Sequence, residues 1–187
     1  MKLIINSVDY SNQLLDALDT PVQITLSTVA DNTFEVKSEK PLSRLYWATD
    51  SAHDGDLTLK YFNGSTLTSV ALSTDTTAAL TRQGWLTWER PSNDSKDGEF
   101  YRYVFTLEDV STSPDLSLKF VGVVFSEDRD LRKEYPNIVD HKPENDTSFL
   151  RFHVAAKDSI VQWFRGKGQV TFNGVKFQEV DEFDFLV

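Results

Sequence analysis

From Leu57 to Phe62 the chain alternates Leu57, Leu59 and Tyr61 with Thr58, Lys60 and Phe62, a period of two that puts one row of side chains on each face of a strand. Asn63-Gly64 ends the run. Those residue types tolerate the positive φ of a tight hairpin, so Thr66 to Leu72 is expected to return antiparallel to Leu57–Phe62. The same pattern recurs nearby. Gly84 to Trp88 is short and aromatic and is closed by Pro91, and Tyr101, Tyr103, Phe105 and Leu107 alternate with Arg102, Val104 and Thr106. These two runs are expected to pair across the turn residues Ser92 to Gly98. Three of the four tryptophans fall between Leu45 and Phe105, which makes this stretch the expected core.

Around it, Val22, Ile24 and Leu26 alternate with polar residues, as do Phe34 and Val36, so two strands flank the Asp31-Asn32 turn. Leu118 to Phe125 is nearly all apolar, which suits a central position in a sheet. Leu3-Ile4-Ile5 is a short apolar run, and Leu14, Leu15 and Leu18 form either one helical turn or a packed loop. The expected fold is therefore mainly β: an antiparallel, jelly-roll-like β-sandwich over residues 21–125, preceded by an N-terminal segment, residues 1–20.

Residues 126–146 show neither period and carry Glu127, Asp128, Arg129, Asp130, Arg132, Lys133 and Glu134. A connection this long is either a solvated connector or an arm that docks on a neighbouring subunit, for which Leu131, Tyr135 and Ile138 are spaced apolar anchors. Residues 147–187 then form an assembly segment. Asp146, Thr147 or Ser148 caps a helix from Phe149 to Arg165, with Gly166 at its C-terminal cap. At 100° per residue, Phe149, Phe152, Ala156, Ile160 and Trp163 form one stripe and Leu150, Val154 and Val161 a second, with His153, Lys157 and Phe164 between them. The apolar arc spans about 200°, wider than the roughly 100° that docking on its own domain requires. A second contact surface follows. Asn173-Gly174 lies between Val170–Phe172 and Val175–Phe177, a terminal hairpin signal.

Four motifs carry a resemblance. They are Tyr61-Phe62-Asn63-Gly64-Ser65, Asp75-Thr76-Thr77, Gln83-Gly84 with Trp88 and Pro91, and Gly98-Glu99-Phe100-Tyr101-Arg102. In this order they resemble a β-sandwich module of tailed-bacteriophage structural proteins that looks somewhat like a carbohydrate-binding module. Leu67 and Asp94 depart from the pattern, standing where the family usually has tryptophans. The resemblance covers about a third of the chain. It implies a noncatalytic virion structural protein of the head-to-tail connector or neck, made in the host cytoplasm and assembling in a ring with itself and with neighbouring virion proteins. It implies as an alternative a glycan-binding decoration or tail-fibre module, with Trp85 and Tyr101 as the glycan contacts. Trp85 is the ring most exposed to that use, being out of phase with Leu86 and next to Gly84.

Charge narrows the partners. Nineteen basic against twenty-nine acidic residues give a net charge of −10, which repels polyphosphate and disfavours specific nucleic-acid binding. No run of about 18 apolar residues suggests a membrane span, and the first twenty residues lack the apolar core of a signal peptide. With no cysteine, neither disulfides nor thiolate metal sites are expected. His53, His141 and His153 lack metal-ligand spacing. Asp50, Asp54 and Asp56 around Gly55 lack the distal glutamate of a calcium loop and read as a solvated turn. No nucleophile motif or phosphate-binding glycine loop occurs, so no enzyme and no cofactor is expected. The expected assembly interface comprises Leu131 and Tyr135 of the arm with Phe149, Phe152, Ala156, Ile160, Trp163 and Phe164 of the helix.

Overall fold

The structure is a computed structural model that describes residues 1–15, 20–112, 115–124, 150–166, 170–172 and 175–177. The chain divides into two compact units, Met1–Gly122 and Val123–Val187.

The first unit is a β-sandwich. Its strands are β1 (Lys2–Ile5), β2 (Val8–Asp9), β3 (Val22–Thr25), β4 (Asn32–Ser38), β5 (Arg44–Asp50), β6 (Asp56–Phe62), β7 (Leu67–Val70), β8 (Leu72–Asp75), β9 (Gly84–Trp88), β10 (Lys96–Asp97), β11 (Phe100–Glu108) and β12 (Asp115–Gly122). One sheet has the order β2-β1-β4-β11-β6-β7, with β10 also paired to β11, and the other the order β3-β12-β5-β9-β8. Every pairing is antiparallel. Within these sheets, β4-β11-β6-β7 and β3-β12-β5-β9 form the two four-stranded halves of a jelly roll, in which the chain crosses between sheets at nearly every connection.

Alternation explains which side chains meet between the sheets. On β11, Tyr103, Phe105 and Leu107 point inward, and on β4 Phe34 and Val36 do the same; all five are buried. They face Trp47 of β5 and Trp88 of β9. Trp47 packs edge-on against Phe34, with centroids 6.0 Å apart, and against Phe105 at 5.4 Å. Trp88 lies 5.4 Å from Tyr103 and 5.7 Å from Phe105. Such tilted and edge-to-face contacts add to the area term that dominates core stability.

Several strands behave as their sequence pattern implies. Tyr61 pairs with Thr68 and Phe62 with Leu67, so β6 and β7 form the expected hairpin. Its turn is displaced by one residue: Asn63 N–H donates to Thr66 O at 3.0 Å, so Gly64 and Ser65 are the central pair. Gly64 has φ +98°, the conformation a type II′ turn demands at its first central position. β12 is central, between β3 and β5, as its apolar run requires, although the strand ends at Gly122.

Other expectations are corrected. The sandwich does not begin near residue 21, because β1 pairs along β4 and buries Leu3 and Ile5. The two strands flanking Asp31-Asn32 do not pair with each other: β3 joins one sheet and β4 the other. Asn32 is buried and holds that crossing, with its Oδ1 accepting Ser27 N–H at 2.8 Å and its Nδ2 donating to Ser27 O at 3.0 Å. Likewise β9 and β11 lie in opposite sheets rather than forming a hairpin. Leu14 and Leu15 sit in one turn of 3₁₀ helix, Gln13–Leu15; Leu18 lies outside the described residues.

At the end of the sandwich where β4 begins and β11 finishes, six non-glycine residues take positive φ: Asn6, Ser7, Ala78, Ala79, Leu80 and Asp109. His53 is buried there and its Nδ1 accepts Gly55 N–H at 3.2 Å. Burial is the main force lowering its pKa below the ordinary 6.5, so the folded chain favours neutral imidazole. The unfolded chain takes up the proton first as pH falls. His53 therefore contributes stability that is complete above about pH 6.5 and declines as pH drops through that value towards the folded pKa. Thermal melts between about pH 7.5 and 5 should show Tm falling on acidification, and falling less in His53→Gln. Equal falls in both proteins would remove His53 as the cause.

In the second unit, α1 spans Leu150–Gly166, and β13 (Val170–Phe172) pairs with β14 (Val175–Phe177) in the expected hairpin, Val170 opposite Phe177.

Candidate functional site

The face that α1 presents is the first candidate. Leu150, His153 and Lys157 are buried, and Val154 is half-buried. Lys157 Nζ pairs with Asp158 Oδ1 at 3.0 Å, at the exposed border of this strip. On the stripe centred roughly a third of a turn away, at 100° per residue, Phe152 is 55% and Ile160 41% exposed, with Ala156 exposed between them. Among the described side chains, the buried strip thus contains two polar residues, while Phe152, Ala156 and Ile160 are exposed. Leu131, Tyr135 and Phe149 lie outside the described residues, as do the side chains of Trp163 and Phe164. Of the expected interface, the structure therefore places Phe152, Ala156 and Ile160 together on one exposed stripe.

The two aromatic residues of the alternative glycan site are not brought together. Trp85 lies on the outer face of its sheet and is half-buried. Its ring packs edge-on against Tyr46, the residue opposite it on β5, at 5.3 Å, and the Arg44 guanidinium lies 5.5 Å from its centroid. Tyr101 belongs to the other sheet, near the start of β11, where Arg90 and Lys96 flank its ring at 5.9 and 5.7 Å. Each ring is thus occupied by a cation and half-covered by its neighbours, which leaves no shared flat platform.

A buried polar cluster beside Tyr101 escaped the sequence. Asp94, which stands where the resembling family has a tryptophan, turns its side chain fully inward. Tyr103 donates its hydroxyl hydrogen to Asp94 Oδ2 at 2.6 Å and accepts Leu42 N–H at 2.9 Å, while Arg90 Nε stands 3.5 Å from the carboxylate. Burial raises the Asp94 pKa against the pull of Tyr103 and Arg90, and burial followed by the Asp94 hydrogen bond raises that of Tyr103. Tyr61 donates to Asn93 Oδ1 at 2.7 Å, and Ser95 N–H to Phe62 O at 3.1 Å. The cluster ties the loop after β9 to the loop before β5 and to the β6–β7 hairpin. Its role is to fix loops: Asp94 is sealed from solvent.

Nearby on the outer sheet face, Arg102 Nη2 donates to Glu35 Oε2 at 3.2 Å, its Nε stands 2.9 Å from Glu35 Oε1 as an ion pair, and Nη1 donates to Asp97 Oδ2 at 3.2 Å. At the opposite end, the Asp50, Asp54 and Asp56 turn is engaged internally. Asp54 accepts Ser111 N–H at 2.9 Å and the Ser111 hydroxyl, and these bonds lower its pKa. Asp56 sits opposite Glu108 in the β6–β11 ladder. Among the described residues no three histidine or carboxylate side chains converge as a metal-holding group, and no helix is long and apolar enough to cross a membrane. Comparison of the chain with protein-family models, with curated proteins and with solved structures found no match.

Proposed function

We propose that this chain is a noncatalytic virion structural protein of the tailed-phage type, a head-to-tail connector or neck component whose copies assemble in a ring on neighbouring virion proteins. The observation that carries the reading is the outward Phe152–Ala156–Ile160 stripe of α1. A partner that covers the half-exposed Phe152 and Ile160 gains roughly half of the about 1.5–3 kcal/mol that full burial of such a side chain is worth, before ordering costs are subtracted. A second copy of the chain is the occupant that a ring requires, each helix stripe covered by the next subunit. The resemblance motifs support the virion class, since all four fall within one jelly roll: on the β6–β7 hairpin, on the β8–β9 connection, on β9, and at the start of β11. The net charge of −10 suits a component that borders a DNA path without gripping the duplex.

Ile160→Asp places a charge at a side chain that is itself exposed, on the border of the buried strip. This variant should keep its Tm within about 2 °C of the parent and lose higher-order assembly in sedimentation runs, because desolvating the new carboxylate costs several kcal/mol. Unchanged assembly of the folded variant would take the interface away from this helix.

A further inference from the structure

We infer that the free edge of β7 is a second self-association surface, which joins two copies of this chain about a two-fold axis into one continuous sheet. β7 ends its sheet: among the described residues it pairs only with β6. The closing pair of the hairpin, Asn63 and Thr66, is hydrogen-bonded. By the alternation of an antiparallel ladder, the next pair, Phe62 and Leu67, is not, and the outward groups are the N–H and C=O of Leu67 and Ser69. The side chains of these two residues are also the exposed ones on β7, with Leu67 at 36%.

The residues around this edge select the occupant. From Asn63 to Thr74 there is no charged residue, although 26% of the chain is charged. Natural edge strands commonly guard themselves with lysine, proline, a bulge or extreme shortness. β8, which continues the same side of the sandwich, has a bulge between Leu72 and Thr74; the edge at β2 is two residues long; β3 follows Pro21. β7 has a regular register and none of the first three guards. In a chain of net charge −10, two copies repel over most approaches. An edge without charged side chains lets identical copies touch without that penalty, and an antiparallel strand pair is self-complementary about a two-fold axis. Basic or acidic partners gain nothing there.

The test uses the full chain with Ile160→Asp as background, so that association through the helix is removed and the two interfaces are judged separately. Sedimentation equilibrium should show the mass rising from one chain towards two over roughly 10 µM to 1 mM, the range of a small interface. Adding Ser69→Asp should hold the mass at one chain, with Tm preserved because Lys60 lies directly opposite. Ser69→Pro, which deletes the outward N–H and leaves the β6 ladder intact, should weaken association at least tenfold. A background protein that stays at one chain mass throughout, or variants that dimerise like their parent, would overturn the inference.

Discussion

Gly84→Ala should destabilise the sandwich by about 3–5 kcal/mol, a large share of the 5–15 kcal/mol typical of a folded domain. A Cβ at this position would lie 2.5 Å from Thr76 Oγ1 and 2.7 Å from both the carbonyl carbon and the oxygen of Thr76. Backbone atoms cannot swing away as a side-chain tip can. Thr76 is also fixed to the residue after Gly84: its N–H donates to Trp85 O at 2.9 Å, and its Oγ1 accepts Trp85 N–H at 2.7 Å. Relief of the clash therefore costs these bonds, at about 1 kcal/mol each, in addition to 1–3 kcal/mol of overpacking. Urea denaturation should show the loss as a lowered midpoint at unchanged slope. A change below about 1 kcal/mol would mean that Thr76 yields freely and that the close approach of β8 and β9 is not constraining.

The second large effect is expected at Asp75, on the same connection. Its Oδ1 accepts Thr77 N–H at 2.7 Å and the Thr77 hydroxyl at 2.6 Å, and its Oδ2 accepts Ala79 N–H at 2.8 Å. Thr77, itself buried, passes the order on by accepting Leu80 N–H at 2.9 Å on its Oγ1. This cage holds Ala78, Ala79 and Leu80 at φ +50°, +56° and +70°, a left-handed turn that costs roughly 1–2 kcal/mol per non-glycine residue. It also seats Leu80 in the core, where the residue is fully buried. Asp75→Ala removes three acceptor bonds from a carboxylate that stays solvent-exposed, so the expected loss is about 2–3 kcal/mol. Ala79→Gly in the same protein should restore up to about 1 kcal/mol, since glycine adopts this conformation freely. If Asp75→Ala melts like the parent, the turn is held by Leu80 burial alone.

Both effects concern features that residue patterns do not display. Period-two alternation revealed β6, β11 and the β6–β7 hairpin because each strand has one face in the core and its neighbour pairs locally. It did not reveal that β3 and β4, or β9 and β11, cross between sheets, since a connection closing a hairpin and one spanning the sandwich have similar residues. The run Leu3-Ile4-Ile5 was too short to announce a strand, and its burial depends on β4, nearly thirty residues away in sequence. Asp94 carried a different difficulty: a carboxylate before Ser95 and Lys96 reads as solvated turn, and only the fold brings Tyr103 to it.

The helix was legible in part. Its 3.6-residue period placed Phe152, Ala156 and Ile160 on one face, and the structure keeps them there. Periodicity alone did not distinguish which of two apolar stripes faces water. The buried strip takes in His153 and Lys157 with Leu150, while Phe152, Ala156 and Ile160 are exposed.

The most direct test of the assembly account is the mass of the purified full chain in solution, measured by light scattering across concentration with negative-stain images of the same samples. The account predicts a closed ring of many copies, lost on Ile160→Asp. A wild-type chain that never exceeds two copies at any concentration would contradict it.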